Sequence, residues 1–265
     1  MDYVAYNESA WDKAVRDGNV WTIPVSDETV DAAKCSGEYS VVLTPTKPVP
    51  HGWIGDVAGK DVLCLASGGG QQGPIFAALG ANVTVFDNSP AQLERDATVA
   101  RRHGLTIRLE QGDMRDLSRF PDESFDLIFH PVSNVFVDDV NVVWHECHRA
   151  LRPGGVLLSG FTNPIVYLFD FDEWDNNKKL VVAHSIPYSD VRDLPEEKLR
   201  ERIERGEPME FAHTLEDQIG GQVAAGFAIR GFYEDKSGGD LLDDYIDTFI
   251  ATKAVKLEKR KLGRK

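Results

Sequence analysis

The sequence predicts a doubly wound, Rossmann-like α/β fold with a mostly parallel sheet, and three observations support this prediction. Between residues 60 and 163, short apolar runs alternate with amphipathic segments, a pattern typical of successive strand–helix–strand units. The apolar run at 62–66 ends in three consecutive glycines, and a second run at 83–86 ends in Asp87. We therefore expect a buried strand, a tight turn that opens a helix, and a second buried strand tipped by a carboxylate.

The individual elements follow from the same alternation. We expect strands at 61–66, 83–87, 106–111, 125–130 and 155–161, and helices near 72–80, 90–103 and 138–151. Ser89 and Pro90 favour a helix start, as a capping residue followed by a first-turn proline. Arg152-Pro153-Gly154-Gly155 indicates a sharp turn after the third of these helices. Beyond residue 213, an amphipathic segment and two apolar runs predict a closing helix and strands.

The chain divides into four segments in this interpretation. They are an N-terminal arm (1–50), a ligand-binding core (51–163), a cap insertion (164–212), and closing elements with a basic tail (213–265). The arm contains Trp11 and Trp21, and it is either a packing arm or a lid that brings Tyr6, Asn7 and Trp11 to the site. The insertion follows the fifth strand, where open α/β sheets bind ligands, so we expect a cap rather than a surface decoration.

Composition excludes several classes of function. With 29 Lys and Arg against 43 Asp and Glu, the net charge is −14, which disfavours a nucleic-acid partner. No apolar stretch approaches the roughly 20 residues of a membrane span, and the first residues are too polar for a signal peptide. Three cysteines without C-x-x-C spacing suit a reducing compartment. We expect a cytoplasmic monomer or homodimer whose basic C-terminus is a solvated end.

The glycine-rich turn and Asp87 predict a cofactor that contains adenosine. Glycines let the backbone approach a ligand, and a carboxylate at the next strand end accepts bonds from both ribose hydroxyls. Residues 68–73 also satisfy G-x-G-x-x-G, which allows a nicotinamide dinucleotide. A dehydrogenase is disfavoured because the sequence contains no Tyr-x-x-x-Lys pair and leaves few residues for a substrate domain.

The first four predicted strands end in residues that can contact a ligand: Ala66-Ser67-Gly68, Asp87-Asn88, Gly112-Asp113-Met114 and His130-Pro131. With these strand ends, the chain resembles the class I S-adenosylmethionine-dependent methyltransferases, especially the bacterial small-molecule type. The resemblance covers 60–163 strongly and 213–254 as a closing helix–strand–strand, but the arm and the insertion only weakly. The family's acid-x-Gly-x-Gly-x-Gly loop falls on Cys64, Ala66, Gly68 and Gly70, so a cysteine replaces the usual acid and an alanine the first glycine. The resemblance implies a seven-stranded sheet with an antiparallel last strand.

The resemblance also implies S-adenosylmethionine as the methyl donor, S-adenosylhomocysteine as the product and a small-molecule acceptor. Asp87 corresponds to the ribose-binding acid, Asp113 to the acid near the adenine amino group, and Met114 to its apolar neighbour. The candidate cofactor-binding residues are Tyr6, Trp11, Ala66, Ser67, Gly68, Gly70, Gln72, Asp87, Asn88, Gly112, Asp113, Met114 and His130.

His130 is also the candidate catalytic base, because it is the last residue of the predicted fourth strand, close to the transferable methyl group, and its pKa range suits a base at neutral pH. The alternative is that His130 forms only a wall of the pocket. His145, Cys147 and His148 do not share one helix face, so we expect no metal site. Two other functions stay open at this point: an NAD(P)-dependent oxidoreductase, and a non-catalytic protein that binds an adenosyl ligand.

Overall fold

The computed structural model describes residues 2–258, and a seven-stranded sheet forms its centre. The strands are β1 (Asp61–Leu65), β2 (Asn82–Asp87), β3 (Ile107–Gln111), β4 (Phe125–His130), β5 (Leu151–Thr162), β6 (Tyr188–Ser189), β7 (Phe211–Ala212), β8 (Phe227–Asp235) and β9 (Phe249–Lys256). The sheet order is β3-β2-β1-β4-β5-β9-β8, and β6 pairs with β7 in a separate ribbon. Strands β1 to β5 are parallel, whereas β9 runs antiparallel to both β5 and β8. The predicted fold class is confirmed.

The helices surround this sheet and belong to the arm, the core and the insertion. They are α1 (Tyr3–Asp17), α2 (Asp27–Ser36), α3 (His51–Ile54), α4 (Gln72–Ala78), α5 (Pro90–His103), α6 (Val140–Ala150), α7 (Phe171–Asn177), α8 (Asp190–Asp193), α9 (Glu196–Arg205) and α10 (Gly221–Ala224). Helix α1 is capped at its start by the Asp2 side chain, which accepts the N–H groups of Val4 and Ala5. As expected, Ser89 caps α5 and Pro90 is its first residue.

The core lies on both faces of β1, β2 and β4, which explains their continuous apolar runs, whereas β3 at the sheet edge is partly exposed. In β1, Val62 and Cys64 pack with α4 on one face. Leu63 and Leu65 pack with α6 on the other face, around the fully buried Trp144. Because both faces of the sheet are covered, a ligand approaches it at the carboxyl ends of the strands.

The turn predicted at 152–155 lies inside β5. These residues form a bulge between the pairs Phe125–Leu151 and Leu127–Val156, and Gly154 has a φ of +82°. The Arg152 guanidinium contacts Asp61 and Asp126 at 2.8 Å. The predicted helix after residue 213 is a π-helical segment, Glu216–Gly220, that continues into α10. The predicted basic tail beyond residue 258 lies outside the described residues. Within residues 2–258, no helix has both the length and the apolar character to cross a membrane.

Candidate functional site

A cavity of about 370 Å³ opens at the carboxyl ends of β1, β2 and β3, and its volume is within the range of small-molecule sites. Most of the residues predicted for the site line this cavity: Trp11, Ala66, Ser67, Gly68, Gln72, Asp87, Asn88, Gly112, Asp113 and Met114. Tyr6, Gly70 and His130 do not line it. The arm, the core and the insertion all contribute to its walls, so one space joins all three segments.

The glycine turn after β1 is packed too closely for side chains. A Cβ at Gly68 would lie 2.7 Å from the Cβ of Gln92. The turn's amides are already paired within the protein: Gly68 N–H donates to Asp87 Oδ2 (2.8 Å), Gly69 N–H to the Gln92 carbonyl (3.1 Å), and Gly70 N–H to Asp96 Oδ2 (3.0 Å). The three glycine amides are therefore not available to a phosphate group.

Asp87 combines support of the turn with an accessible carboxylate. One oxygen accepts the Gly68 N–H, and the other accepts the Ser89 N–H at 2.9 Å. Burial raises the pKa of Asp87, and the nearby Asp12 carboxylate acts in the same direction. Each carboxylate oxygen keeps a second acceptor position, so the pair can accept bonds from two neighbouring hydroxyl groups.

Asp113, two residues after β3, is largely neutralised by its neighbour Arg115. The guanidinium Nη2 donates to Asp113 Oδ2 at 2.6 Å, and Nε contacts both carboxylate oxygens. Arg115 also contacts Asp138 and the Tyr3 hydroxyl. Asp113 therefore brings a hydrogen-bond acceptor to the cavity but little net charge, beside the buried apolar side chain of Met114.

His130 lies behind the cavity wall instead of inside it. Its side chain is fully buried, and its Nδ1–H donates to the carbonyl of Leu65 at 3.0 Å. Burial lowers the pKa of His130 to about 4. The cavity wall at this position is formed by Ser133, whose Oγ lies 3.4 Å from Nδ1. The geometry thus favours the alternative of a structural histidine over a general base.

Tyr6 and Gly70, which we predicted to bind the cofactor, and Cys64 of the glycine loop make their contacts outside the cavity. The Tyr6 hydroxyl donates to the carbonyl of Glu207 at 2.9 Å, so Tyr6 ties α1 to the insertion. Gly70 pairs through its carbonyl with the Val25 N–H, and a Cβ there would meet the Arg95 carbonyl at 3.0 Å. Cys64, at the family's acid position, is buried in the core, and this burial raises the pKa of its thiol well above the usual value.

Helix α1 of the arm is fixed to the core at the mouth of the cavity. The Asn88 amide donates to the Val4 carbonyl at 2.9 Å, and Asp12 accepts bonds from Ser89 Oγ (2.6 Å) and the Ala91 N–H (3.1 Å). Asp12 thus adds to the cap of α5 from outside that helix. The arm contributes Val4, Asn7, Trp11, Trp21 and residues 42–45 to the cavity lining.

Sequence reasoning missed several lining residues. Gln92 is 6% exposed, and its Oε1 has no hydrogen-bond partner among the described residues. Its place in the first turn of α5, shortly after Asp87, is a signal that could have identified it. Tyr167 and Glu210 line the opposite wall. They lie at the two ends of an insertion whose apolar residues follow no regular spacing. The sequence therefore does not indicate that these two residues meet.

The charges in the cavity distinguish between the two cofactor classes that its shape allows. Asp87, Asp113 and Glu210 line it, and no Lys, Arg or His belongs to its described lining. A dinucleotide pyrophosphate is bound by cationic groups or free amides, but the described lining has no cationic side chain and the three glycine amides of the turn are already paired. A cofactor with positively charged sulfonium and ammonium groups fits this lining. In the part of the chain that the structure describes, no group of three His, Cys, Asp or Glu residues could hold a metal ion.

Comparisons with known sequences agree with this chemistry. A family model described as a methyltransferase domain matches residues 63–159. The chain is 54% identical over 254 residues to the uncharacterized methyltransferase YbaJ of Bacillus subtilis (strain 168), covering 96% of this chain and 98% of that protein. It is also 34% identical over 136 residues to the ubiquinone biosynthesis O-methyltransferase of Pseudomonas syringae pv. tomato, covering 48% of this chain and 57% of that enzyme.

Solved structures share the fold at lower sequence identity. The 1,6-didemethyltoxoflavin-N1-methyltransferase of Burkholderia thailandensis, solved with bound 1,6-didemethyltoxoflavin and S-adenosylhomocysteine, aligns with a TM-score of 0.56 and 17% identity over 97% of this chain and 90% of that one. An S-adenosylmethionine-dependent methyltransferase from Mesorhizobium loti aligns with a TM-score of 0.57 and 22% identity, over 76% of this chain and 93% of that one. With a full-length relative at 54% identity and this sheet order, the chain belongs to the class I S-adenosylmethionine-dependent methyltransferases.

Proposed function

We propose that this methyltransferase transfers the methyl group of S-adenosylmethionine to a small-molecule acceptor held inside the cavity. The observation that carries the proposal is that one cavity joins two kinds of wall. The carboxyl ends of β1, β2 and β3 form one wall. The other comes from the arm, the insertion and the ends of β5 and β9. A donor and an acceptor can thus lie side by side in the same cavity.

The first wall is the proposed cofactor half. Asp87 accepts bonds from the two ribose hydroxyls, while Asp113 and Met114 bind the adenine ring at its amino edge and its face. Gln92 also lines this half, but its Oε1 is buried, so we assign it no bond to the cofactor. S-adenosylmethionine supplies an electrophilic methyl group on its sulfonium. The residues of this half hold the donor so that this methyl group points toward the second wall.

The second wall is the proposed acceptor half, and most of its side chains are apolar. Leu43 from the arm, Val166 and Tyr167 after β5, and Phe249 at the start of β9 contribute to it. These groups favour an acceptor with an apolar body and exclude water from the reacting atoms. We assign the lid function to the arm (1–50) and the cap function to the insertion (164–212), with 51–163 and 213–258 as the supporting core.

The charge of the chain supports a small acceptor over a nucleic acid. A net charge of −14 and a cavity lining without basic residues oppose the approach of a phosphate backbone. We further propose that the reaction takes place in the cytoplasm, since Cys35, Cys64 and Cys147 are all free thiols.

Methyl-labelled S-adenosylmethionine tests this function when it is incubated with the enzyme and a fractionated bacterial extract. We expect label in the low-molecular-mass fraction, and we expect Asp87→Ala to abolish it by removing the ribose contact. Label found only in the protein or nucleic-acid fractions would contradict a small-molecule acceptor.

A further inference from the structure

Glu210 is the only acid in the described lining of the acceptor half, where the surrounding groups are mostly apolar. It lies directly before β7, and its backbone is fixed to Asp190 in both directions: Glu210 N–H donates to Asp190 Oδ2 (2.7 Å), and Asp190 N–H donates to the Glu210 carbonyl (3.0 Å). The Tyr167 hydroxyl donates to Glu210 Oε2 at 2.8 Å. About a quarter of the side chain (27%) stays accessible. The carboxylate is thus positioned, yet open to a ligand.

The charge of Glu210 is only partly balanced by its neighbours. Arg202 lies 3.3 Å from Glu210 Oε1, but its closer contact is to the buried Asp190, at 2.9 Å. Glu207, 3.6 Å from Arg202, has a partner of its own at the surface in Arg205. One guanidinium therefore serves both Asp190 and Glu210. A negative charge is left over at the wall of the acceptor half.

We propose that Glu210 recognises the acceptor by binding an amine or ammonium group on an otherwise apolar molecule. This inference rests on the proposed function, because it assumes a small acceptor in the same cavity. A nitrogen with N–H donors satisfies the free lone pairs of the carboxylate, and a positive charge on it balances the remaining negative charge. This nitrogen is the group by which the acceptor is recognised; the methylated atom can be the same nitrogen or another atom of the acceptor.

The same arrangement rejects anionic acceptors. A carboxylate or phosphate group on the acceptor would face Glu210 without any Lys, Arg or His among the described lining residues. Burial raises the pKa of Glu210, in line with a carboxylate that lacks a full counter-charge. Selection by charge therefore does not depend on the shape of the apolar pocket.

Calorimetric titration of the S-adenosylhomocysteine complex tests the proposal with three probes that share a phenyl ring and a short chain. The probes are 2-phenylethylamine, 2-phenylethanol and 3-phenylpropanoate. We expect the amine to bind at least about tenfold more tightly than the alcohol, because charge-assisted hydrogen bonds are stronger than neutral ones. We expect the carboxylate to bind most weakly of the three. Glu210→Gln should lower the affinity for the amine about tenfold and leave that for the alcohol within about twofold.

Glu207→Gln is the matched control. It removes a carboxylate from the same Arg202 neighbourhood, but Glu207 does not belong to the described cavity lining. The control should keep the wild-type order of the three probes. An equal loss of amine affinity in both variants would overturn the proposal, because the net negative charge of the insertion, and not a contact with Glu210, would then explain the binding of the amine. Failure of the amine to bind the wild-type complex, or equally tight binding of the carboxylate, would overturn it too.

Two measurements keep this result separate from folding and from the proposed function. The affinity for S-adenosylhomocysteine and the melting temperature report whether Glu210→Gln is folded; if it is not, Glu210→Asp takes its place and should keep the preference for the amine at reduced affinity. The fractionation assay with labelled methyl donor is independent of the probes. Label in small molecules without an amine preference refutes only the role of Glu210, whereas label confined to macromolecules refutes the proposed function.

Discussion

Asn7 and Met209 form a reciprocal pair across the mouth of the cavity, 202 positions apart in the chain. The Met209 N–H donates to Asn7 Oδ1 at 2.7 Å, and Asn7 Nδ2 donates to the Met209 carbonyl at 3.0 Å. Both residues are buried. The side chain of Asn7 thus pairs with the backbone of the insertion as a neighbouring strand would. This pair connects α1 to the segment that carries Glu210.

Asn7→Ala should uncouple the two segments that we assign as lid and cap. The change leaves the Met209 N–H and carbonyl unpaired in a buried place, which costs about 1–3 kcal/mol for each group that water cannot reach. In the wild type, S-adenosylhomocysteine should slow amide exchange in α1 and in residues 207–211. We expect the variant to show faster exchange in both segments and weaker protection by the ligand, measured by hydrogen exchange with mass spectrometry.

Ser9→Ala is a matched control for this experiment. Ser9 lies on the same helix, but its hydroxyl donates only to the Ala5 carbonyl within α1. The amide exchange of the Ser9→Ala variant should equal that of the wild type. If Asn7→Ala left α1 and residues 207–211 as protected as before, the lid and the cap would not depend on each other.

The central part of the fold was predictable because β1, β2 and β4 are buried on both faces, so their sequences are nearly continuous apolar runs. The edge strand β3 instead alternates apolar and polar residues, which also favours a strand. Ser89 with Pro90 sets the start of α5. The start of β5 at Leu151 was not predictable. The turn that Pro153, Gly154 and Gly155 favour does form, as a bulge inside β5, but the pairing of Leu151 with Phe125 begins the strand before it.

The candidate site was predictable only where strand ends determine it. Asp87 and Asp113 line the cavity because each one follows or ends a parallel strand. Tyr6 was expected there too, but its hydroxyl reaches the Glu207 carbonyl, a partner that only the folded insertion provides. Tyr167 and Glu210 meet for the same reason, through short contacts between segments that are distant in sequence. Side-chain direction and such contacts are properties of the tertiary structure.

S-adenosylmethionine and S-adenosylhomocysteine should raise the melting temperature, whereas NAD and NADP should not. The amides of Gly68, Gly69 and Gly70 already have acceptors within the protein, and the described cavity lining has no cationic side chain for a pyrophosphate. A ligand at about 100 times its Kd stabilises the fold by about 2.7 kcal/mol, which a thermal shift assay detects. An equal shift with NAD would refute this account of the charges.

Asp87→Ala should weaken the binding of S-adenosylhomocysteine more than Asp113→Ala does. Asp87 keeps an acceptor position on each oxygen for the ribose, and each charge-assisted bond is worth about 1.5–3 kcal/mol. The oxygens of Asp113 are already engaged by Arg115. Calorimetric titration measures both affinities, with the melting temperatures as a check of folding. An unchanged affinity in Asp87→Ala would contradict the ribose contact.

Asp96 is a fully buried carboxyl group beneath the glycine turn. Its Oδ2 accepts the Gly70 N–H at 3.0 Å, and its Oδ1 has no partner among the residues that the structure describes. Burial raises the pKa of Asp96 from 3.8 to about 8, with a further contribution from the negative charge of Asp87. At neutral pH the folded protein therefore keeps a proton on Asp96 that the unfolded chain releases.

This difference in protonation has a defined sign for stability. Below about pH 4 the carboxyl is protonated in both states and costs nothing; as the pH rises toward about 8, the unfolded chain gains from ionisation and stability is lost. Asp96→Asn cannot ionise, and its side-chain oxygen can still accept the Gly70 N–H. Urea unfolding from pH 5 to pH 8 should show the variant gaining stability over the wild type as the pH rises. A difference between the two proteins that stays constant over this range would mean that Asp96 is ionised in the folded state.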